Sequence, residues 1–133
     1  MSQAEDLARN AAVMTRYATA WKAGDRADLV GCYHDQFTLH YAGSNPLSGV
    51  HRGKAAALQA LAAVSQKTGR QLLEVIDVMP GAQRSAIVVR EAFHRDGAMA
   101  ELERTLVYTI ADDRLFECWV YDQDQALVDR FLA

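Results

Sequence analysis

Apolar residues recur at three- and four-residue intervals through the first half of the chain and alternate with polar ones through most of the rest. Over residues 4–22, Leu7, Ala11, Met14, Ala18 and Trp21 mark one helical face, flanked by Val13 and Tyr17. Gly24 supplies a stop. Asp25 can cap a second helix over 26–34, with Asp28 three residues on and Leu29, Val30 and Tyr33 as its apolar positions. A short strand, 37–41, runs into a turn-rich hook built on Gly43, Asn45, Pro46, Gly49 and Gly53. An alanine-rich third helix is predicted over 54–67, its stripe formed by Leu58, Leu61, Ala62 and Ser65.

The period then changes. Leu73 to Met79 reads as a strand stopped by Pro80-Gly81, and residues 85–95 as a longer one. Arg95-Asp96-Gly97 is a hairpin signal, 99–111 the return strand, Asp112-Asp113 a second turn and 114–122 the last strand. Asp122 or Asp124 can cap a terminal helix over 125–132. Helices first and a meander of strands afterwards predict an α+β fold rather than a doubly wound sheet. The hook places His40 and Tyr41 near where two helices diverge, which suggests a small-molecule pocket.

Composition narrows the function. At 133 residues the chain has the length of one domain spanning residues 1–133. A net charge of −3 with no basic stripe gives nucleic-acid binding no electrostatic support. The mixed, acidic opening is unlike a signal peptide and no apolar run approaches a membrane span, so the expected location is cytoplasmic, with no membrane partner. Cys32 and Cys118 form no CxxC and sit among apolar residues, which predicts buried free thiols in a reducing compartment. No HxH, HExxH, GxGxxG, Walker or Ser-His-Asp pattern occurs, so no metal and no cofactor are expected.

Three stretches carry a resemblance: RYATAWKAGDRADLVGCYHDQFTLHYAG at 16–43, the hook from His40 to Gly53 with its PLSG run, and LFECWVYDQDQALVDRF at 115–131. Together they resemble the SnoaL-like, nuclear transport factor two-like superfamily, which includes ketosteroid isomerase, scytalone dehydratase and polyketide cyclases. The resemblance implies a cone-shaped barrel, a curved antiparallel sheet wrapped around the N-terminal helices, and a homodimer through the convex face of that sheet. Tyr17 falls where ketosteroid isomerase keeps an oxyanion-hole tyrosine. The isomerase's general-base aspartate falls at Tyr41, its glutamate neighbour at His40, and its second oxyanion donor near Leu106. With two of three catalytic positions lost, steroid isomerisation is not expected. Against the cyclases, His40, Trp119 and Asp122 match in type, and Asp122 is the nearest candidate for the acid–base aspartate.

Each candidate has two readings. His40 could move a proton near neutral pH or simply bond the hook backbone. Tyr17 could donate to a carbonyl or enolate oxygen or be a satisfied core tyrosine. Trp21 could wall a pocket or pack the core. Arg104, between Leu102 and Leu106, could point inward and pair with Asp122, Glu91 or Glu117, await an anionic ligand, or form an inter-strand bridge on the outer side. Tyr41, Trp119 and Tyr121 could line a site, the core or an interface. Asp122 could act as general acid or base, or cap the last helix. The first expectation is a cofactor-independent acid–base enzyme, of isomerase, cyclase or dehydratase type. Its site would have His40, Asp122 and Tyr17 as catalytic residues, and Trp21, Tyr41, Arg104 and Trp119 around a hydrophobic carbonyl compound. The alternatives are a non-catalytic ligand-binding module and a dimeric assembly protein.

Overall fold

A computed structural model describes residues 2–133. Helix α1 (Gln3–Ala23) starts at Ser2, whose hydroxyl accepts from the Glu5 N–H, and ends at Gly24 in the left-handed region. Helix α2 (Arg26–Gly31) is capped by Asp25. Strand β1 (Tyr33–Tyr41) leads through the hook to β2 (Gly49–Arg52) and helix α3 (Lys54–Thr68). The meander β3 (Gln71–Met79), β4 (Ser85–Arg95), β5 (Ala98–Ala111) and β6 (Arg114–Asp122) follows, and α4 (Gln125–Leu132) closes the chain from its Asp124 cap.

The sheet runs β2-β1-β6-β5-β4-β3. Its turns Asp96–Gly97 and Asp112–Asp113 have positive φ at both positions, the backbone that matches strand twist in two-residue hairpins. Alternation decides the faces. Phe37 and Leu39 of β1, Leu106 and Tyr108 of β5, Ile87, Val89 and Phe93 of β4, and Cys118 and Val120 of β6 are buried in one core cluster. Val13, Met14 and Tyr17 of α1, Ala57, Ala60 and Val64 of α3, and Val128 and Leu132 of α4 join the same cluster, so helices cover this inner face.

The architecture is the expected α+β curved sheet with helices packed on it, and it remains unclosed. Three details differ from the sequence expectation. The second helix stops at Gly31 rather than 34, because Tyr33 already pairs with Leu115 and the Leu115 N–H donates to the Cys32 carbonyl at 2.8 Å. The hook contains a strand, β2, antiparallel to β1. The β1–β6 pair is parallel, so the sheet is mixed rather than wholly antiparallel. Both cysteines are buried and free, as expected. Among the described residues no helix is long and apolar enough to cross a membrane.

Candidate functional site

The inner face encloses a chamber of about 50 Å³ between α1, α3 and the sheet. Tyr17 and Trp21 come from α1, Phe37 and Leu39 from β1, and Tyr108 and Cys118 from the meander. Leu29, Tyr33, Leu61 and Arg70 also border it. The same four residues line a surface groove of about 420 Å³ between α2 and α3. Groove and chamber therefore lie side by side, with these four residues common to both. A space of 50 Å³ takes little more than water, whereas ligand sites commonly span about 300–1,000 Å³. The groove is the part large enough for a guest.

Phenols dominate the chamber. The hydroxyls of Tyr17 and Tyr108 share a hydrogen bond, and their rings meet edge to face at 5.2 Å. Tyr33 stands edge-on to Tyr17 at 6.1 Å, and Trp21 tilts against Tyr17 at 5.5 Å. Burial, reinforced by Tyr33 and opposed by the hydrogen bond with Tyr108, pushes Tyr17 well above its ordinary range. Burial pushes Tyr108 and Tyr33 upward as well. It also carries the Cys118 thiol up to about 12. All four groups stay protonated at neutral pH. The Tyr17 and Tyr108 hydroxyls thus sit together at the chamber, where a bound acceptor would compete with their bonds to one another, to Tyr33 and to Cys118.

Arg70 borders both spaces. It follows the Gly69 stop of α3, and its Nε donates to Ser65 Oγ at 3.3 Å and pairs with Glu91 Oε2 at 3.5 Å. Behind it lies a closed ionic cluster. Arg104 Nε meets Asp122 Oδ1 at 2.6 Å, and Nη2 meets Asp122 Oδ2 at 3.2 Å. Arg104 Nη1 donates to Glu91 Oε1 at 3.2 Å and Nη2 to the Tyr41 hydroxyl at 2.7 Å. Arg104 is 2 % exposed and Glu91 1 %. Burial alone would lower the Arg104 pKa, but Tyr41, Glu91 and Asp122 together raise it above its ordinary value, so the guanidinium remains charged. Burial raises Tyr41 against the pull of Arg104. Arg104, Asp122 and Tyr41 thus satisfy one another and do not border the chamber.

His40 requires a correction. Its ring was expected to look inward, but Phe37, Leu39 and Tyr41 take the inner face and alternation sends Thr38 and His40 to the other side. There His40 is half-buried, stacked on Trp119 at 4.7 Å with planes 4° apart, its Nε2 3.0 Å from Glu117 Oε2. Arg84 lies over the same indole at 4.4 Å. Trp119 is outward for the same reason, since its neighbours Cys118 and Val120 are core residues. The hook is likewise not a pocket wall. The Ser44 N–H and Asn45 Nδ2 donate to Asp129 Oδ1 at 3.1 and 2.8 Å, which fastens the hook to α4. Gly43, at φ +99°, passes so close that a Cβ there would lie 2.3 Å from Asp129 Oδ1 and from Gln125 Nε2.

Of the expected site residues, Tyr17 and Trp21 line the chamber, Arg104, Asp122 and Tyr41 form the cluster behind it, and His40 and Trp119 stack outside. Sequence reasoning missed Tyr108 and Arg70. Tyr108 continues the Leu102–Arg104–Leu106 alternation and could have been found that way. Arg70 reads as a residue of a loop, and nothing local distinguishes it. Among the described residues no group of three or more His, Cys, Asp or Glu is arranged to hold a metal ion.

Residues 14–118 match the SnoaL-like domain family. No curated protein matches the chain. Among solved structures, Bal32a from a soil-derived mobile gene cassette superposes with a TM-score of 0.85 at 19% identity, over 96% of this chain and 99% of that one. A nuclear transport factor two-like protein from Burkholderia xenovorans LB400 gives 0.77 at 19% identity, over 96% and 98%. TerC, co-crystallised with polyporic acid, gives 0.77 at 15% identity, over 93% and 98%. At these identities the likeness is one of fold.

Proposed function

Because the chain belongs to the SnoaL-like domain family, within a fold that serves small-molecule binding, we propose that it is a single-domain ligand-binding protein whose site is the α2–α3 groove and the tyrosine chamber beside it. The observation that carries this is that the two spaces adjoin, sharing Leu29, Tyr33, Leu61 and Arg70 in their linings. A largely apolar molecule would lie along the groove and direct a carbonyl oxygen towards the Tyr17–Tyr108 pair. Trp21 would flank that end of it. TerC, which shares the fold, was co-crystallised with a small molecule, which supports the class of guest.

Binding is favoured over proton transfer by the chemistry of the lining. Among the described residues no carboxylate or imidazole borders the groove or the chamber. The phenols are all displaced in the same direction, whereas an acid–base pair needs its members driven apart. One observation favours the acid–base reading instead: the Glu91 carboxylate lies directly behind Arg70 and would become the base if a bound substrate drew that guanidinium away. On that reading Tyr17 stabilises the developing oxyanion and Glu91→Gln abolishes turnover without weakening binding. The proposal includes a cytoplasmic location, supported by the two free thiols, and a homodimer through the outer sheet face, where Val50 and Tyr121 are exposed.

The chain has two tryptophans, so Trp119→Phe leaves Trp21 as the single indole reporter. Titration of that variant with 1-tetralone, an apolar ketone, should quench Trp21 emission saturably. Adding Ala62→Phe, which fills the groove wall, should abolish the response. A response that never saturates, or one indifferent to Ala62→Phe, would remove the site from the groove.

A further inference from the structure

Charge is distributed unevenly around the groove. The protein is acidic, at −3, yet the groove and chamber carry two arginines, Arg26 and Arg70, and no acidic side chain. Arg26 makes no ion pair among the described residues. Its acidic neighbour Asp28 is taken by Arg16, at 2.7 Å. Arg70 is anchored through Nε alone. Glu91 approaches it from the sheet side, while Arg104 holds the other oxygen of that carboxylate. Neither terminal nitrogen of Arg70 donates a hydrogen bond among the described residues, in a side chain only 18% exposed. A half-desolvated guanidinium fixed at one nitrogen, with its fork open, suits planar two-point recognition of an oxyanion.

We propose that the groove selects an amphipathic carboxylate, with its apolar body between Leu29, Leu58 and Leu61 and its anionic head on Arg70, and with Arg26 adding longer-range attraction. This rests on the groove being the ligand site and adds the charge of the ligand. Arg70 shares its one carboxylate, Glu91, with Arg104, and neither that carboxylate nor any other among the described residues lines the groove, so a neutral guest would cover a partly buried guanidinium without pairing its free nitrogens. A carboxylate head supplies that pairing. The arrangement also explains why this position carries arginine rather than lysine: the Nε contacts hold the plane while the η nitrogens bind.

The test is calorimetric, on the intact protein, with 2-naphthoate and 2-naphthamide as probes of equal shape and different charge. The carboxylate should bind at least about tenfold tighter than the amide, and raising salt from about 50 to about 500 mM should erode that margin severalfold. Arg70→Gln should erase the preference, Arg70→Lys should restore part of it, and Arg26→Gln should lower it modestly. Equal binding of the two probes to the wild-type protein overturns this inference and leaves the groove as a neutral-ligand site. Binding of neither overturns the groove reading along with it. Because the wild-type comparison and its salt dependence need no variant, a poorly folded Arg70→Gln protein does not protect the proposal.

Discussion

Replacing Arg104 by Met tests the packing of the ionic cluster at its centre. The side chain makes four polar contacts of 2.6–3.2 Å, two of them a forked pair on Asp122, at 2 % exposure. Met fills most of the volume, so the effect is one of charge. Asp122 loses its ionic partner Arg104, and Glu91 keeps Arg70 at 3.5 Å. Breaking a buried pair from one side costs about 3–5 kcal/mol. An orphaned carboxylate can escape by taking a proton, which for a carboxyl of ordinary acidity costs about 4 kcal/mol at pH 7 and about 1.5 kcal/mol at pH 5. One orphan dominates, so a loss of about 3–5 kcal/mol is expected at pH 7. The folded variant binds a proton that its unfolded chain releases, so the loss shrinks as pH falls towards 5. Urea unfolding followed by circular dichroism measures both. Adding Asp122→Leu should recover more than half of the loss, because an apolar pair can replace a buried ionic one. A loss below about 1 kcal/mol, or no recovery in the double variant, would refute the reasoning.

Three further outcomes follow from other contacts. His40→Ala removes an outward stack on Trp119 and should cost about 1 kcal/mol in urea unfolding while leaving 1-tetralone affinity within about twofold. Gly43→Ala forces a side chain into Asp129 and Gln125 at positive φ and should cost roughly 1–3 kcal/mol by the same measurement. Asp129 is held below the usual carboxylate range by Asn45, assisted by the Ser44 amide and Gln125. Its contribution is full above the unfolded-state value near 4 and is lost as pH falls through the lower folded value, so the stability gap between wild type and Asp129→Asn should narrow as pH falls below about 4.

Most of the fold was legible because the long strands alternate against a covered face. β4 to β6 and their two turns follow directly from SAIVVREAFHR, the Asp96–Gly97 signal and the apolar positions after Asp113. β2 was not legible. GVHR has no hydrophobic period of its own, and it is a strand because β1 offers an edge. The start of β1 was hidden for a related reason. YHDQF contains three polar residues in a row, and its strand character comes from Tyr33 pairing with Leu115 of the last strand, far off in the sequence. The site was legible in part. Tyr17 and Trp21 share one helix face with the apolar stripe, and Arg104 between two leucines left open an inward pair with Asp122, Glu91 or Glu117, an anionic ligand or an outer bridge, of which the cluster realises the first two partners. His40 was misread although the needed pattern was present: Phe37, Leu39 and Tyr41 form the only apolar alternate set in that strand, and they exclude His40 from the core side. Arg70 was invisible, because its role depends on Leu29 and Leu61 arriving from two other elements.

A crystal structure with 6-bromo-2-naphthoate, read through the anomalous signal of bromine, tests the account most directly. The account predicts one strong peak in the groove beside Leu61 and Leu58, with the carboxylate oxygens on the Arg70 fork. A peak on the outer sheet face beside Trp119 and His40, with the groove unchanged, would contradict it.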